Sequence, residues 1–395
     1  MNEYDAIIVG GGPTGAYVAG KIAKKKYKVA ILEKNKEIGV PINCAGLITP
    51  RVFDLLEIKK EPIIENNIKG ANIHSPSGKI LKIGGDKVHA LAINRSKFDK
   101  ELIKKAEEND VELILENNVI SAHKVKEYIE IKTSKNYNFR CKLLIGADGP
   151  YSKVRDSFAL PEPKEFLRGI GAEITNTNLD PDYVEIFVGK SIAPGFFAWI
   201  IPTNKKGTYA RIGLCISQES PKSPKYYFSN FLKSKIPSDL IRNAKITNQY
   251  GGVIPIGALK KTFESNVLLV GDAAAQVKPT SGGGIYTGLI CAEQCSNVSI
   301  DALQKNKFNS QYLKKYHKSW SVDIGRELYL GMKFRKIFKH FTDKQFDKYI
   351  EKFQSSKINQ VISRYGDIDY PSKLIKPMLK KAPSLLRLLP TSLKD

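Results

Sequence analysis

The 395-residue chain contains no run of about 18 uncharged apolar residues, the length a membrane-spanning helix needs. No cleaved leader is expected either, because a buried-strand pattern begins almost at Met1. Cysteine is scarce, with five residues at irregular spacing. That odd, scattered set excludes a disulfide framework and predicts a reducing, cytoplasmic setting. Cys291 and Cys295 stand four apart, on one helical face. No further Cys or His cluster completes a metal site around them, so they read as small packing residues and no metal is expected. Acidic residues are in deficit: 40 Asp and Glu face 63 Lys and Arg, a net charge of +23. The lysines are scattered through every segment and no nucleic-acid motif accompanies them, so nucleic acid is not an expected partner. The excess fits a Lys-biased composition as well as attraction to an anionic membrane surface. There is no internal repeat and no low-complexity linker.

What the chain does have is glycine in two remote, patterned segments. The first is Tyr4-Asp5-Ala6-Ile7-Ile8-Val9-Gly10-Gly11-Gly12-Pro13-Thr14-Gly15. Asp5 to Val9 is the apolar run of a strand buried on both faces of a parallel sheet. Gly10 permits a tight turn, Gly12 lets the backbone approach a pyrophosphate, and Gly15 lets the next helix pack on the strand. That helix is predicted from about Pro13 to Lys25, with its free N–H groups toward phosphate. Lys28 to Leu32 is a second strand. It ends at Glu33, roughly 20 residues past the glycines, where a carboxylate accepts ribose hydroxyls.

The second segment is Val267-Leu268-Leu269-Val270-Gly271-Asp272-Ala273-Ala274, followed by Pro279 and Ser281-Gly282-Gly283-Gly284-Ile285. Here a strand ends at an Asp suited to a ribitol hydroxyl, and a helix opens at Gly283-Gly284 with N–H groups for a diphosphate or a flavin carbonyl. A plain N-cap is the other reading of Asp272. Leu143 to Ala147, ending at Asp148-Gly149, is a further buried strand and turn. Two glycine segments in this order describe one nucleotide cofactor held at both ends, which points to non-covalent FAD.

These residues carry a resemblance. The N-terminal glycines, Ala147-Asp148-Gly149-Pro150-Tyr151-Ser152 with Arg155, and Gly271-Asp272-Ala273-Ala274 with Pro279 resemble the three signatures of the para-hydroxybenzoate hydroxylase-type flavoproteins. Asn94-Arg95-Ser96-Lys97-Phe98-Asp99 fits the same group, whose matching Arg lies near the flavin. Pro41-Ile42-Asn43-Cys44-Ala45-Gly46 resembles the P-x-x-C-x-G element of geranylgeranyl reductases. Phe197-Ala198-Trp199-Ile200-Ile201-Pro202 is similar to their Y-x-W-x-F-P element, with Phe and Ile at two of its positions. Gly251-Gly252-Val253-Ile254-Pro255 and Tyr365 to Ser372 also look like family segments. The resemblance implies cofactor contacts at Gly10, Gly12, Thr14, Gly15, Glu33, Lys34, Cys44, Ala45, Gly46, Arg95, Val119, Asp148, Gly271, Asp272, Gly283, Gly284 and Ile285. It implies substrate contacts at Phe197, Trp199 and Pro202, with Cys44 as a catalytic candidate.

The implied reaction is saturation of isolated geranylgeranyl double bonds in membrane lipids or prenyl diphosphate precursors, with electrons from an external donor. A flavin monooxygenase or halogenase of the same fold is the alternative, and a flavin-bearing electron-transfer or membrane-docking protein is a third reading. On its own chemistry, the Phe196-Phe197-Trp199 run reads either as an apolar wall for an isoprenoid or as the core of a sheet. Strand alternation puts Phe197 and Trp199 on one face and Phe196 on the other. Cys44, set among Gly and Pro, reads as a loop residue of the site or as an inert buried thiol.

The length predicts more than one core. The expected class is α/β with two domains. A Rossmann-like FAD-binding domain with a parallel sheet spans 1–157 and 259–298, with a strand-rich insertion at about 65–95. A β-sheet substrate domain spans 158–258, and a helical region spans 299–395. The basic, leucine-bearing stretch 373–395 reads either as an element resting peripherally and reversibly on the inner face of an anionic membrane or as helices packed on the body.

Overall fold

A computed structural model describes residues 2–354 and 356–381. Its first sheet has eight strands, and the main path runs Phe263–Glu264, Val267–Leu269, Asn138–Gly146, Asn2–Val9, Val29–Leu32, Glu112–Ile114. All neighbours on this path are parallel except the first pair. Parallel neighbours need crossovers, and helix Pro13–Ala23 makes the one between Asn2–Val9 and Val29–Leu32. The predicted double burial holds: Ala6 and Ile8 pack into the cluster beneath the helices, and Ile7 and Val9 into the cluster on the opposite face. Helix Pro13–Ala23 lies against both Arg95–Glu107 and Ile285–Lys305. It is two residues shorter than expected because Lys24 and Lys25 fall in its closing turn.

The second sheet has seven strands, ordered Lys245–Ile256, Glu165–Thr175, Tyr209–Ser217, Phe197–Pro202, Tyr183–Val188, Gly70–His74, Ile80–Gly84. One face carries Ala172, Ile200, Ile212 and Leu214 against Phe228 and Phe231 of helix Pro224–Lys233. The other face carries Leu167, Trp199, Ile201 and Cys215 and meets Ala45, Leu47 and Val277. A third, three-stranded sheet of Leu47–Ile48, Ala90–Ile93 and Ile64–Ile68 lies between them in sequence.

The 65–95 insertion is therefore divided. Its outer strands build the small sheet, while Gly70–His74 and Ile80–Gly84 cross over and extend the seven-stranded sheet. The crossover starts where the Asp182 carbonyl accepts from both Lys69 N and Gly70 N. It depends on glycine, since a Cβ at Gly70 would come within 2.4 Å of the Tyr183 ring.

Helices Ser310–Trp320 and Arg326–Phe338 run on through a single π turn, Ser321–Gly325. After helix Ser356–Tyr365 the chain turns back over the body. There Asp369, fully buried, accepts from Thr49 Oγ1 (2.6 Å), Lys278 Nζ (2.7 Å) and Arg51 Nη1 (3.2 Å). Asp367 takes both ends of the Arg51 guanidinium at 2.8 Å. Lys278 belongs to the stretch just before Gly282-Gly283-Gly284, so the C-terminal segment clasps the second glycine segment. The predicted membrane stretch 373–395 is described only to Lys381, and Leu385–Leu389 lies outside the described residues.

Tyr316 ties the helical region to the same place. Its buried hydroxyl donates to Leu269 O (2.8 Å) and accepts from Gln276 Nε2 (2.9 Å), while Gln276 Oε1 accepts from Gly271 N (2.8 Å). Tyr316→Phe leaves a buried carbonyl and amide unsatisfied. It is expected to lower stability by about 1–3 kcal/mol, read as a lower urea midpoint at unchanged slope. An unchanged midpoint would show that this link carries no weight.

Candidate functional site

The first glycine segment is built around close approaches that no side chain would permit. Gly10 has φ +105°, and a Cβ there would come within 2.3 Å of Ala147 O. A Cβ on Gly15 would come within 2.0 Å of Gly10 O. Gly12 differs: nothing in the chain lies within 4 Å of its Cβ position. It also caps helix Pro13–Ala23 without any side-chain hydrogen bond. Free helix N–H groups beside open space are the features that hold a diphosphate.

Glu33 is buried at the end of its strand. Its Oε2 accepts from Gly11 N (2.8 Å) and Oε1 from Asn35 N (2.9 Å), which fixes the carboxylate beside the glycine turn. Lys34, next in sequence, is exposed. Val119 is packed with Val9, Leu32 and Leu144 in the core, so its side chain is occupied by packing. The Asp148 carboxylate is likewise committed to its own turn, accepting from Ser152 Oγ (2.6 Å) and Val154 N (3.1 Å). Burial pushes the Asp148 carboxyl up, with the Ser152 hydroxyl pulling it back.

The two glycine segments meet at Thr14. A Cβ on Gly271 (φ +68°) would come within 2.7 Å of Thr14 Oγ1, and one on Gly288 within 2.8 Å of Thr14 Cγ2. Thr14 thus fits between the turn at Gly271, after strand Val267–Leu269, and the helix Ile285–Lys305. Gly284 caps that helix with no side-chain partner, as Gly12 does the first. A Cβ at Gly284 would lie 3.0 Å from Asp272 Oδ1. Burial raises the Asp272 carboxyl to about 6, and the positive charge of Arg95 works against that rise. Arg95 is held by a two-point bridge to Asp99 at 3.2 and 2.9 Å. Burial opposes its charge, but Asp99 and Cys44 outweigh it and keep the guanidinium protonated.

Facing this is the loop carrying Cys44, Ala45 and Gly46. The Cys44 sulfur accepts from Gly46 N at 3.4 Å. Arg211, from the seven-stranded sheet, anchors the loop by donating to Ala45 O (3.2 Å) and Ile93 O (2.9 Å), with Glu65 as its counter-ion at 2.6 Å. Gly46 has φ +68°, and its missing Cβ leaves the space that Arg211 occupies, 2.6 Å from the guanidinium. Sequence reasoning passed over Arg211. Its only signal was a charge inside an apolar strand, Tyr209–Ser217.

Phe197 and Trp199 share a face as expected, with ring centroids 6.2 Å apart. Phe196 does not take the other face. It precedes the strand, in the turn after Gly195 (φ +76°), and so escapes strand alternation. Its ring stacks on Phe197 at 4.3 Å and reaches the position where a Cβ of Gly282 would sit. Phe196, Phe197, Trp199, Ala45, Ile254 and Val277 form one apolar cluster between the glycine loop and the Cys44 loop. Pro202 is not part of it. It shares parity with Ala198 and Ile200, on the opposite face, and its carbonyl accepts from Asn66.

The family described as the FAD binding domain matches residues 3–317 of this chain. A digeranylgeranylglycerophospholipid reductase of Methanocaldococcus jannaschii is 30% identical over 393 residues, 97% of each chain. An uncharacterised protein of the same organism is 34% identical over 382 residues, 96% of this chain and 95% of the other. Among solved structures, a geranylgeranyl bacteriochlorophyll reductase-like protein of Thermoplasma acidophilum has a TM-score of 0.84 at 23% identity, covering 98% of this chain and 100% of the other. A flavin-dependent brominase has a TM-score of 0.73 at 16% identity, covering 97% and 100%. Both structural likenesses speak to the fold. With the FAD-binding family matched over most of its length and a reductase aligned along nearly all of it, the chain belongs to the FAD-binding-domain flavoproteins and, within them, to the geranylgeranyl reductase family.

Proposed function

We propose that the protein is an FAD-dependent reductase that saturates isolated double bonds in the geranylgeranyl chains of membrane lipids or their precursors. The observation that carries this reading is the aromatic cluster of Phe196, Phe197 and Trp199, set between the Gly282 loop and the Cys44 loop. FAD bound there and reduced by an external donor would supply the hydride. Gly12, Thr14, Gly15 and Glu33 would hold its adenosine and diphosphate end, and Asp272, Gly283, Gly284 and Ile285 its ribitol and flavin end. Arg95 supplies fixed positive charge beside Asp272 and Cys44. The aromatic cluster excludes water and orients an apolar chain, which matters because an isolated alkene accepts hydride poorly unless it is held in place.

The test is anaerobic incubation of the dithionite-reduced protein with a digeranylgeranylglycerol phospholipid. A gain of two hydrogens per double bond, seen by mass spectrometry, supports the reading. Oxygen-dependent hydroxylation or halogenation with the chain's double bonds intact would replace it with the alternative chemistry.

Reversible contact with an anionic bilayer is part of the proposal, since the substrate chain must be collected from one. No helix among the described residues is long and apolar enough to cross a membrane. Support comes from one face of residues 322–336, where Val322 (82% exposed) and Tyr329 (61%) stand beside Arg326, Lys333 and Lys336. A groove of about 300 Å³ lies under this face, lined by Trp320, Leu328 and Met332 with Lys164 across it. Met332 also packs against the Trp199 cluster.

Three outcomes are expected. Glu33→Ala weakens FAD binding by about 1.5–3 kcal/mol through lost bonds to a charged group, and an unchanged dissociation constant would remove Glu33 from the site. The second concerns pH. The Asp272 carboxyl of the FAD-free chain, at about 6, lies above its unfolded value, so its contribution to stability is complete below about pH 4 and is lost as pH rises through 6. Hydroxyl donors from the cofactor favour the ionised form, so FAD affinity should climb as pH rises toward 6 and level off above it. Calorimetric titration between about pH 5 and about pH 7.5 reads this, and a slope retained in Asp272→Asn would assign it to another group. The third concerns the membrane. Anionic vesicles should bind the protein at low salt and release most of it near about 1 M salt. Tyr329→Glu should weaken this binding, and salt-indifferent binding would reject a mainly electrostatic contact.

A further inference from the structure

Four strands of the seven-stranded sheet contribute one residue each to a single transverse row. Trp199 stands opposite Gly213, Gly213 opposite Gly171, and Gly171 opposite Tyr250. The neighbouring row on the same face is Cys215, Gly169 and Gly252. Glycine weakens a strand interior, so four glycines in two adjacent rows call for a reason, and the two aromatic rings supply one. A Cβ on Gly213 would come within 2.6 Å of the Trp199 ring, and one on Gly171 within 2.6 Å of the Tyr250 ring. The rings lie down over a glycine floor from its two sides. The loop carrying Cys44 closes over the adjacent row, with Asn43 O 3.1 Å from where a Cβ of Gly252 would be.

Each ring ends in a polar atom that is buried and has no hydrogen-bond partner among the described residues, Trp199 Nε1 and Tyr250 Oη. A buried donor left unpaired is costly and needs an explanation, and a molecule received between the two rings supplies one. The other buried or half-buried phenols near the site are already engaged: Tyr316 with Leu269 and Gln276, Tyr286 with Tyr370, Tyr17 with Glu293. Phe197 has no hydroxyl. The Cys44 sulfur is bonded by Gly46 N and acts on the Arg95 guanidinium. Of the two ring donors, the indole N–H does not ionise and the phenol O–H does.

Resting on the reductase reading, we infer that the Tyr250 hydroxyl is the proton source for the double bond. The hydride brings its own electron pair to one alkene carbon. The π pair forms the second C–H bond with the Tyr250 proton as the O–H bond breaks, and the resulting phenolate regains a proton from water before the next double bond. Burial pushes the Tyr250 phenol well above its ordinary range, so it holds its proton at neutral pH. Arg211, in the next row on the same face, pulls the other way and would steady the phenolate, while Cys44, Glu173 and Cys215 oppose it. The indole of Trp199 closes the opposite side of the floor and keeps the chain over the hydroxyl.

The test compares wild type, Tyr250→Phe and a protein with 3,5-difluorotyrosine at position 250, all loaded with FAD and reduced anaerobically. Flavin reoxidation on mixing with a geranylgeranyl phospholipid reads the chemical step. Lipid binding is read separately, from Trp199 fluorescence in a Trp320→Phe background, where Trp199 is the sole tryptophan. Tyr250→Phe should slow reoxidation by roughly 10²–10⁴-fold, lose the solvent deuterium isotope effect of the wild type, and leave FAD and lipid affinity unchanged. The fluorinated protein, with nearly the same shape, should shift its rate and its alkaline pH limb with the lower phenol pKa.

A Tyr250→Phe protein as fast as wild type, or a fluorinated protein with an unshifted pH profile, would overturn the inference while leaving the reductase reading standing. Lost FAD or lipid binding in Tyr250→Phe would also overturn it, by making Tyr250 a packing residue. If Tyr250→Phe does not fold, the fluorinated protein decides alone. A wild type that leaves the lipid unreduced would instead remove the reductase reading itself.

Discussion

The structure depends on close approaches that only glycine allows, backbone on backbone at Gly10 and Gly15 and backbone on the Thr14 side chain at Gly271 and Gly288. Gly10 passes over Ala147, Gly15 passes over Gly10, and Gly271 and Gly288 close around Thr14. These contacts bring together strands that begin near residues 2, 138 and 267, and with them the helices that open at Pro13 and Ile285. A methyl group at Gly10 or Gly15 would lie 2.3 Å or 2.0 Å from a backbone oxygen and push one segment off another, and one at Gly271 or Gly288 would collide with the Thr14 side chain. The parallel sheet and its helices follow from that convergence, because a parallel order needs long crossovers and the crossovers carry the helices.

Much of this is legible in the sequence. The apolar runs at Asp5–Val9 and Val267–Val270, the glycine spacing and Glu33 all fall where the sequence puts them, because each signal is local and its meaning does not change with context. The residues that escaped reading depend on partners far away. Arg211 is a charge in an apolar strand until Ala45 and Ile93 present carbonyls to it. Gly70 is an ordinary turn glycine until Tyr183 lies across it. Phe196 was assigned by alternation, a rule that stops at the last residue of a strand, and the turn at Gly195 lies just beyond that limit. Pro202 obeys the same rule and is carried away from the cluster by it.

The seven-stranded sheet shows how one layer serves two purposes by parity alone. Residues of one parity pack on helix Pro224–Lys233 and form an ordinary aliphatic core. Residues of the other parity mix aliphatics such as Leu167 and Ile201 with glycine, cysteine, aromatic and arginine side chains, and this is the face turned toward the Cys44 loop. The charged members of that face are each answered: Arg211 by Glu65 and Glu173, and Arg335, reaching in from the helical region, by Glu165. This fits the rule that buried charge is retained only in pairs, and it leaves the middle of the face to uncharged groups.

The C-terminal clasp sets the order in which the protein can be finished. The carboxylates that neutralise Lys278 and Arg51, on Asp369 and Asp367, follow them in the chain by 91 and 316 residues. A nascent chain therefore carries two uncompensated cations until that later segment has been made and has docked. The glycine cradle can assemble earlier, but the loop above it acquires its counter-charges only when residues 367–369 fold back over it, and a product cut before residue 367 would lack them.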